Sequence, residues 1–240
     1  MNAAHDAVAA TLPTMQAKGA GLLAIWSTVT REFETDYLHW LTREHIFERV
    51  GVPGFRSGRA YRRAIVSGVN GADAAEFAIV YELDHADVMS SEAYRARLDE
   101  PTPWTQRIMP KLGGFRRGGG SVVARAGNTA AFGARLGVLR FAEALPACCE
   151  GETAQPRLDA IAAVDRVTGV TLMRVASDAT GIVTREKSMR NGEEGAFAGA
   201  MLIESLDQTS MHAAIEVAAQ IGVAAEDFGV YELVFAFDRH

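Results

Sequence analysis

A histidine and a carboxylate stand side by side as Glu44-His45 in the stretch HWLTREHIFERVGVPGF, residues 39–55. At about 100° per residue, Phe33, Tyr37, Trp40, Leu41, Glu44, Phe47 and Glu48 fall on one side of a helix over 34–50, and His45 borders that side. A carboxylate on an apolar side must be hydrogen-bonded, ion-paired or neutral. An imidazole shuttles protons near neutral pH. The expected chemistry is therefore proton transfer, with His45 as the acid or base and Glu44 as its orienting partner. The next segment, FRSGRAYRRAIV over 55–66, reads as a strand that brings Arg59 and Tyr61 to one face, where they could hold a developing oxyanion. Tyr37, Trp40, Phe47, Tyr81 and Trp104 are the expected lining for a flat, hydrophobic molecule. All of these residues are expected to meet in a crevice between the first helix and its own sheet.

Plainer readings stand beside this one. Glu44 could form a salt bridge to Arg59 or Arg62, and His45 could be a capped histidine near a helix end. His39 lies on the opposite, solvated face and does not share a face with His45, so this helix offers no metal site and none is expected. In DHAD, 84–87, Asp87 reads as a helix N-cap. GGFRRGGGS, 113–121, lacks the lysine and hydroxyl of a phosphate loop and reads as a flexible loop that could act as a lid. Cys148 and Cys149 have no histidine nearby to suggest a nucleophile.

The elements that must position these groups come in a repeating order. Residues 21–30 read as a strand, 34–50 as a helix, 55–66 and 76–84 as strands, 87–98 as a helix and 121–126 as a strand; Asn70-Gly71 is a hairpin signal. The remainder repeats β-α-β-β-α-β, so the chain reads as an internal duplication of a ferredoxin-like unit. Each unit makes a sheet with helices on one face, and its other apolar face needs cover. Two units in one chain can cover each other. The expected fold is α+β: a leader over 1–20, then ferredoxin-like units over 21–126 and 127–240, packed sheet to sheet as a pseudo-dimeric α+β barrel. Aligning Glu48-Arg49-Val50 with Asp165-Arg166-Val167 puts Ile161 opposite Glu44 and Ala162 opposite His45. The second half thus loses the polar pair, which points to one functional crevice, in the first half.

The residues Trp40, Glu44-His45, Glu48-Arg49, Pro53-Gly54-Phe55 and Gly58-Arg59-Ala60-Tyr61, with PTPWTQRIMP at 101–110, resemble the EthD-like branch of the dimeric α+β barrel superfamily over roughly residues 20–125. The chain departs from that pattern at Phe47, where the family carries proline. The resemblance implies small-molecule metabolism, often of aromatic compounds, without fixing a reaction. The leading expectation is an enzyme, an isomerase, cyclase or lyase without a cofactor, acting on an aromatic or cyclic substrate. The alternatives are a haem-dependent enzyme with His212 as the natural ligand, a cofactor-free oxidative enzyme, and a non-catalytic binder of hydrophobic metabolites.

The 240 residues carry 24 basic and 30 acidic side chains, a net charge of −6, with no basic block of the kind nucleic acid requires. No apolar run is long enough for a bilayer. With adjacent cysteines as the only pair, a reducing, cytoplasmic setting is expected. The expected partner is a small hydrophobic or aromatic molecule, and the chain is expected to be a monomer or homodimer.

Overall fold

β1 (Gly21–Thr30) is apolar on both faces because both faces are covered. Leu22, Ala24 and Trp26 point to one interior, and Leu23 and Ile25 to another. The computed structural model describes residues 19–64, 73–128, 132–176 and 184–239 except 224 and 226. The expected leader over 1–18 and the Asn70-Gly71 hairpin lie outside the described residues.

Seven more strands follow: β2 (Phe55–Arg63), β3 (Ala74–Leu83), β4 (Gly113–Gly127), β5 (Arg135–Phe141), β6 (Val167–Val175), β7 (Gly199–Ser205) and β8 (Asp227–Asp238). They close into a barrel in the order β1-β3-β2-β8-β5-β7-β6-β4, with β4 returning to β1 and every pairing antiparallel. Closure leaves no sheet edge to protect. The lumen is packed solid by Leu22, Trp26, Tyr61, Val80, Leu136 and their neighbours.

Helices cover the outside. One outer core lies beneath α1 (Glu34–Trp40), α2 (Ile46–Val50), α3 (Glu92–Asp99) and α4 (Pro103–Ile108). A second lies beneath α5 (Ala154–Ala162) and α6 (Gln208–Gln220). Among the described residues, no helix is long and apolar enough to cross a membrane.

Two local expectations are corrected. The Gly-rich stretch is not a loop but part of the 15-residue β4. A Cβ at Gly118 would sit 2.3 Å from the Phe197 ring, and one at Gly120 would sit 1.8 Å from the Arg174 carbonyl oxygen. These glycines therefore serve close strand approach rather than flexibility. Asp87 lies in a short 3-10 turn, and the helix proper is capped by Ser91, whose hydroxyl accepts the Tyr94 N–H at 3.2 Å.

Candidate functional site

The first helix is interrupted where the chemistry was expected. Between α1 and α2, Leu41–His45 form one π-helical turn. A π turn places one more residue in the turn than an α-helix does, so every later residue is displaced by about one position around the axis. The wheel drawn at 100° per residue therefore fails beyond Leu41. His45 takes the inward place expected for Glu44, and Arg49 the place expected for Glu48; each is only 3 % exposed. Phe47, expected inside, is 39 % exposed and packs on Phe235 and Phe237 of β8.

His45 lies in a crevice between this helix and the outer face of β1 and β3. Its ring stacks on Trp40 at 4.1 Å between centroids. Ile25, Tyr37, Tyr81 and Phe115 line the same space. Its Nδ1 has no hydrogen-bond partner, and neither does the buried hydroxyl of Tyr81, while the Tyr37 hydroxyl has the Ser27 side chain beside it. Such orphans in a native fold call for an explanation, since an unpartnered buried polar group costs about 1–3 kcal/mol. Burial, and then the Arg49 charge, hold the His45 imidazole well below its usual pKa, so it is neutral. Burial pushes the Tyr37 phenol up to about 12 and raises Tyr81 well above its ordinary value. The crevice holds two adjoining cavities of about 20 Å³ each, room for about one water apiece.

Several expected members are elsewhere. Glu44 does not orient His45: its Oε1 accepts the Thr102 hydroxyl at 2.6 Å, which ties the π turn to the N-cap of α4. Arg59 and Tyr61 share a face, as expected, but it is the lumen face, with the sheet between them and His45. The Arg59 guanidinium donates to Glu204 at 2.5 Å and Glu82 at 3.1 Å, and Arg125 completes the cluster on Glu82 at 2.8 Å. Burial works against the Arg59 cation, and Tyr61, Glu204 and Glu82 around it raise its pKa nonetheless. These ions join β2, β3, β4 and β7 inside the barrel. Trp104 donates to Asp36 at 3.0 Å on the rim and does not line the crevice. Of the expected lining, Tyr37, Trp40 and Tyr81 gather around His45.

Arg49 and Glu186 were missed. They form a buried ion pair at the crevice; burial opposes the Arg49 charge most, and Glu186, Tyr94, Tyr81 and Glu48 together outweigh it, so that the guanidinium pKa is raised. Arg49 was hidden by the π turn. Glu186 comes from the connection between β6 and β7, and nothing local in the sequence points it toward His45. Beside them Arg117 donates to the Tyr94 hydroxyl at 3.2 Å.

Cofactor fit follows from the same geometry. His212 is exposed on α6 and lines neither cavity beside His45, so it is not placed there as a haem ligand. The His45 cavities, about 20 Å³ each, have no room for a porphyrin. Among the described residues, no cluster of three or more histidine, cysteine or acidic side chains gathers as a metal site.

No protein-family model matches the chain, and no curated protein matches it. Solved structures do. A candidate monooxygenase from Fusobacterium nucleatum matches with a TM-score of 0.54 at 11% identity, over 92% of this chain and 95% of that one. An anthrone oxidase-like protein matches at 0.54 and 12%, over 94% and 96%. A candidate chlorite dismutase matches at 0.50 and 10%, over 90% and 96%. These names overturn the isomerase, cyclase or lyase expectation, which the separation of Glu44, Arg59 and Tyr61 from His45 also undercuts. They agree with the oxidative alternative and are compatible with either no cofactor or haem. At such identities the likeness establishes architecture, and the architecture is the eight-stranded dimeric α+β barrel fold.

Proposed function

We propose that the chain is an oxidative enzyme of the monooxygenase type that oxidises an anthrone-like, phenolic aromatic substrate with dioxygen at the His45 crevice. The observation that carries this reading is a neutral, buried imidazole with an unpartnered nitrogen, set among aromatic walls with the unpartnered Tyr81 hydroxyl and the Tyr37 hydroxyl in the same crevice. The name of one structural neighbour supplies the substrate class. Neutral His45 takes a proton from the CH₂ carbon of anthrone. Tyr37 and Tyr81 donate to the enolate oxygen, which gives the orphaned Tyr81 hydroxyl a partner. The electron-rich enolate reduces dioxygen, and a carbon–oxygen bond forms. His45 returns its proton to the peroxide anion, giving a hydroperoxide. It then takes the second proton from that carbon as the O–O bond breaks, and hands it to the departing hydroxide. Anthrone and dioxygen become anthraquinone and water, with no outside reductant. Burial favours neutral His45 at rest, and the adjacent enolate offsets the cost of the imidazolium it forms.

Two readings of organisation belong with this proposal. The chain is a fused duplication, with units over 21–126 and 127–240; the matching strand orders β4-β1-β3-β2 and β8-β5-β7-β6 support it. The motif from Trp40 to Tyr61 supports placement in the EthD-like branch. The partner is a small aromatic molecule, the chain acts as a monomer or homodimer, and its setting is cytoplasmic. The test is dioxygen uptake with anthrone, corrected for spontaneous autoxidation. Uptake equimolar with anthraquinone formation is expected, and no enzyme-dependent uptake with anthrone refutes the reading.

A further inference from the structure

A cavity that holds benzene measures about 150 Å³. The two spaces beside His45, at about 20 Å³ each, admit no aromatic ring. If an aromatic substrate reacts there, a wall must move. The helix side cannot yield cheaply, because Tyr37, Trp40, Leu41 and Ile46 are wholly buried in the outer core. The sheet side is the barrel itself. On the α3 side, Tyr94 is buried in the same outer core and Leu98 packs against it. The wall left is residues 184–195, which cross from the β6–β7 connection in the C-terminal half and place Thr184, Glu186, Lys187 and Arg190 over the mouth of the crevice.

We infer that residues 184–195 are a movable strap that gates the His45 crevice, so that the C-terminal half controls what the N-terminal half admits; this rests on the proposed aromatic oxidation at His45. The strap is held to the first half mainly by polar contacts. Asp99 accepts the Arg185 N–H at 3.1 Å, and the Asn191 side chain donates to the Pro110 carbonyl at 2.8 Å. The Gly195 N–H donates to the Phe115 carbonyl at 2.9 Å, and Arg190 sits 3.9 Å over the Phe115 ring. Met189 is the apolar anchor, and it is only partly buried. Together with the Arg49–Glu186 pair these are contacts that water can take over when the strap lifts, at a net loss of about 1 kcal/mol per hydrogen bond, whereas it cannot replace packed apolar surface. The strap is also braced within itself. Glu194 receives both Lys187 and Arg190 at 3.0 Å, and the Thr184 hydroxyl accepts the Lys187 N–H at 3.3 Å. It can therefore lift as one piece. Glu186 is the positioning residue: closing the strap seats it on Arg49, one helical turn beyond His45, and neutralises the cation that most disfavours protonated His45.

Amide hydrogen exchange on the whole protein tests this without turnover. Amides of 185–195 should exchange roughly tenfold or more faster than those of β7, and faster again in the double variant Asp99→Ala/Asn191→Ala. Anthraquinone should associate faster with that variant by a similar factor, read from tryptophan fluorescence. Strap amides as slow as those of β7 in both proteins would overturn the gate. An association rate unchanged despite faster exchange would overturn it too. Failure of the chemistry would look different: fast strap exchange with no anthraquinone binding removes the proposed substrate and leaves the strap movable.

Discussion

Replacing Glu186 with glutamine leaves Arg49 charged, buried and without the carboxylate that pairs with it. Removing one partner of a locked, buried ion pair costs about 3–5 kcal/mol. Here the loss has a ceiling, because the strap can lift and let water reach Arg49. Lifting forfeits the contacts of Asp99, Asn191 and Gly195, hydrogen bonds worth about 1 kcal/mol each. The expected loss is therefore about 3 kcal/mol, the lower end of the range. For a chain of this length that lowers the melting temperature by roughly 6–12 °C. Urea unfolding of Glu186→Gln, Arg49→Met and the double variant Arg49→Met/Glu186→Met measures it. The double variant should recover most of the loss, since it removes the unpaired charge while keeping volume. A loss below about 1 kcal/mol in Glu186→Gln would mean that Arg49 is not desolvated. A double variant as unstable as the single one would mean that packing, not charge, carried the effect.

Three further outcomes are expected. Tyr81→Phe deletes an unpartnered buried hydroxyl, so stability should rise by about 1 kcal/mol while anthrone oxidation slows; a destabilised, fully active variant would contradict the assignment. His45 has a native-state pKa lowered by burial and Arg49, so the unfolded chain binds a proton near pH 6.5 that the native state refuses. Stability should then fall as pH drops below about 6.5, by up to roughly 1.4 kcal/mol per unit, with no contribution above it. His45→Gln should lose that share of the slope between pH 7.5 and 5.5 in thermal melts; identical slopes would place His45 in solvent. Glu44→Gln keeps an acceptor for Thr102, so dioxygen uptake should stay within about twofold of the parent. A hundredfold loss would restore Glu44 to the chemistry.

The succession of eight strands along the chain and the helical cover were legible because they follow from local periodicity and from the need to bury two sheet faces. The gathering of Tyr37, Trp40, Tyr81 and His45 was legible for the same reason. The orientation of residues 44–50 was not. The π turn adds one residue, and that choice is made by packing: Trp40 donates to Thr105 at 3.0 Å, and Thr102 holds Glu44. A single-sequence wheel therefore put Phe47 inside and Arg49 out of view. Arg59 and Tyr61 were placed together correctly, but alternation in a strand buried on both sides cannot say which face is the lumen. Glu186 reaches the site from 137 residues beyond Arg49, a contact that only the closed barrel creates. Gly118 and Gly120 show the converse error: glycine read as looseness was demanded by crowding.

Oxidation of anthrone under ¹⁸O-labelled dioxygen tests the central claim most directly, with His45→Gln run alongside. The account predicts anthraquinone carrying one labelled oxygen, formed by the parent protein faster than by spontaneous autoxidation and by His45→Gln no faster than without protein. Product that takes its new oxygen from water, or equal labelling rates in both proteins, would contradict oxygenation at the His45 crevice.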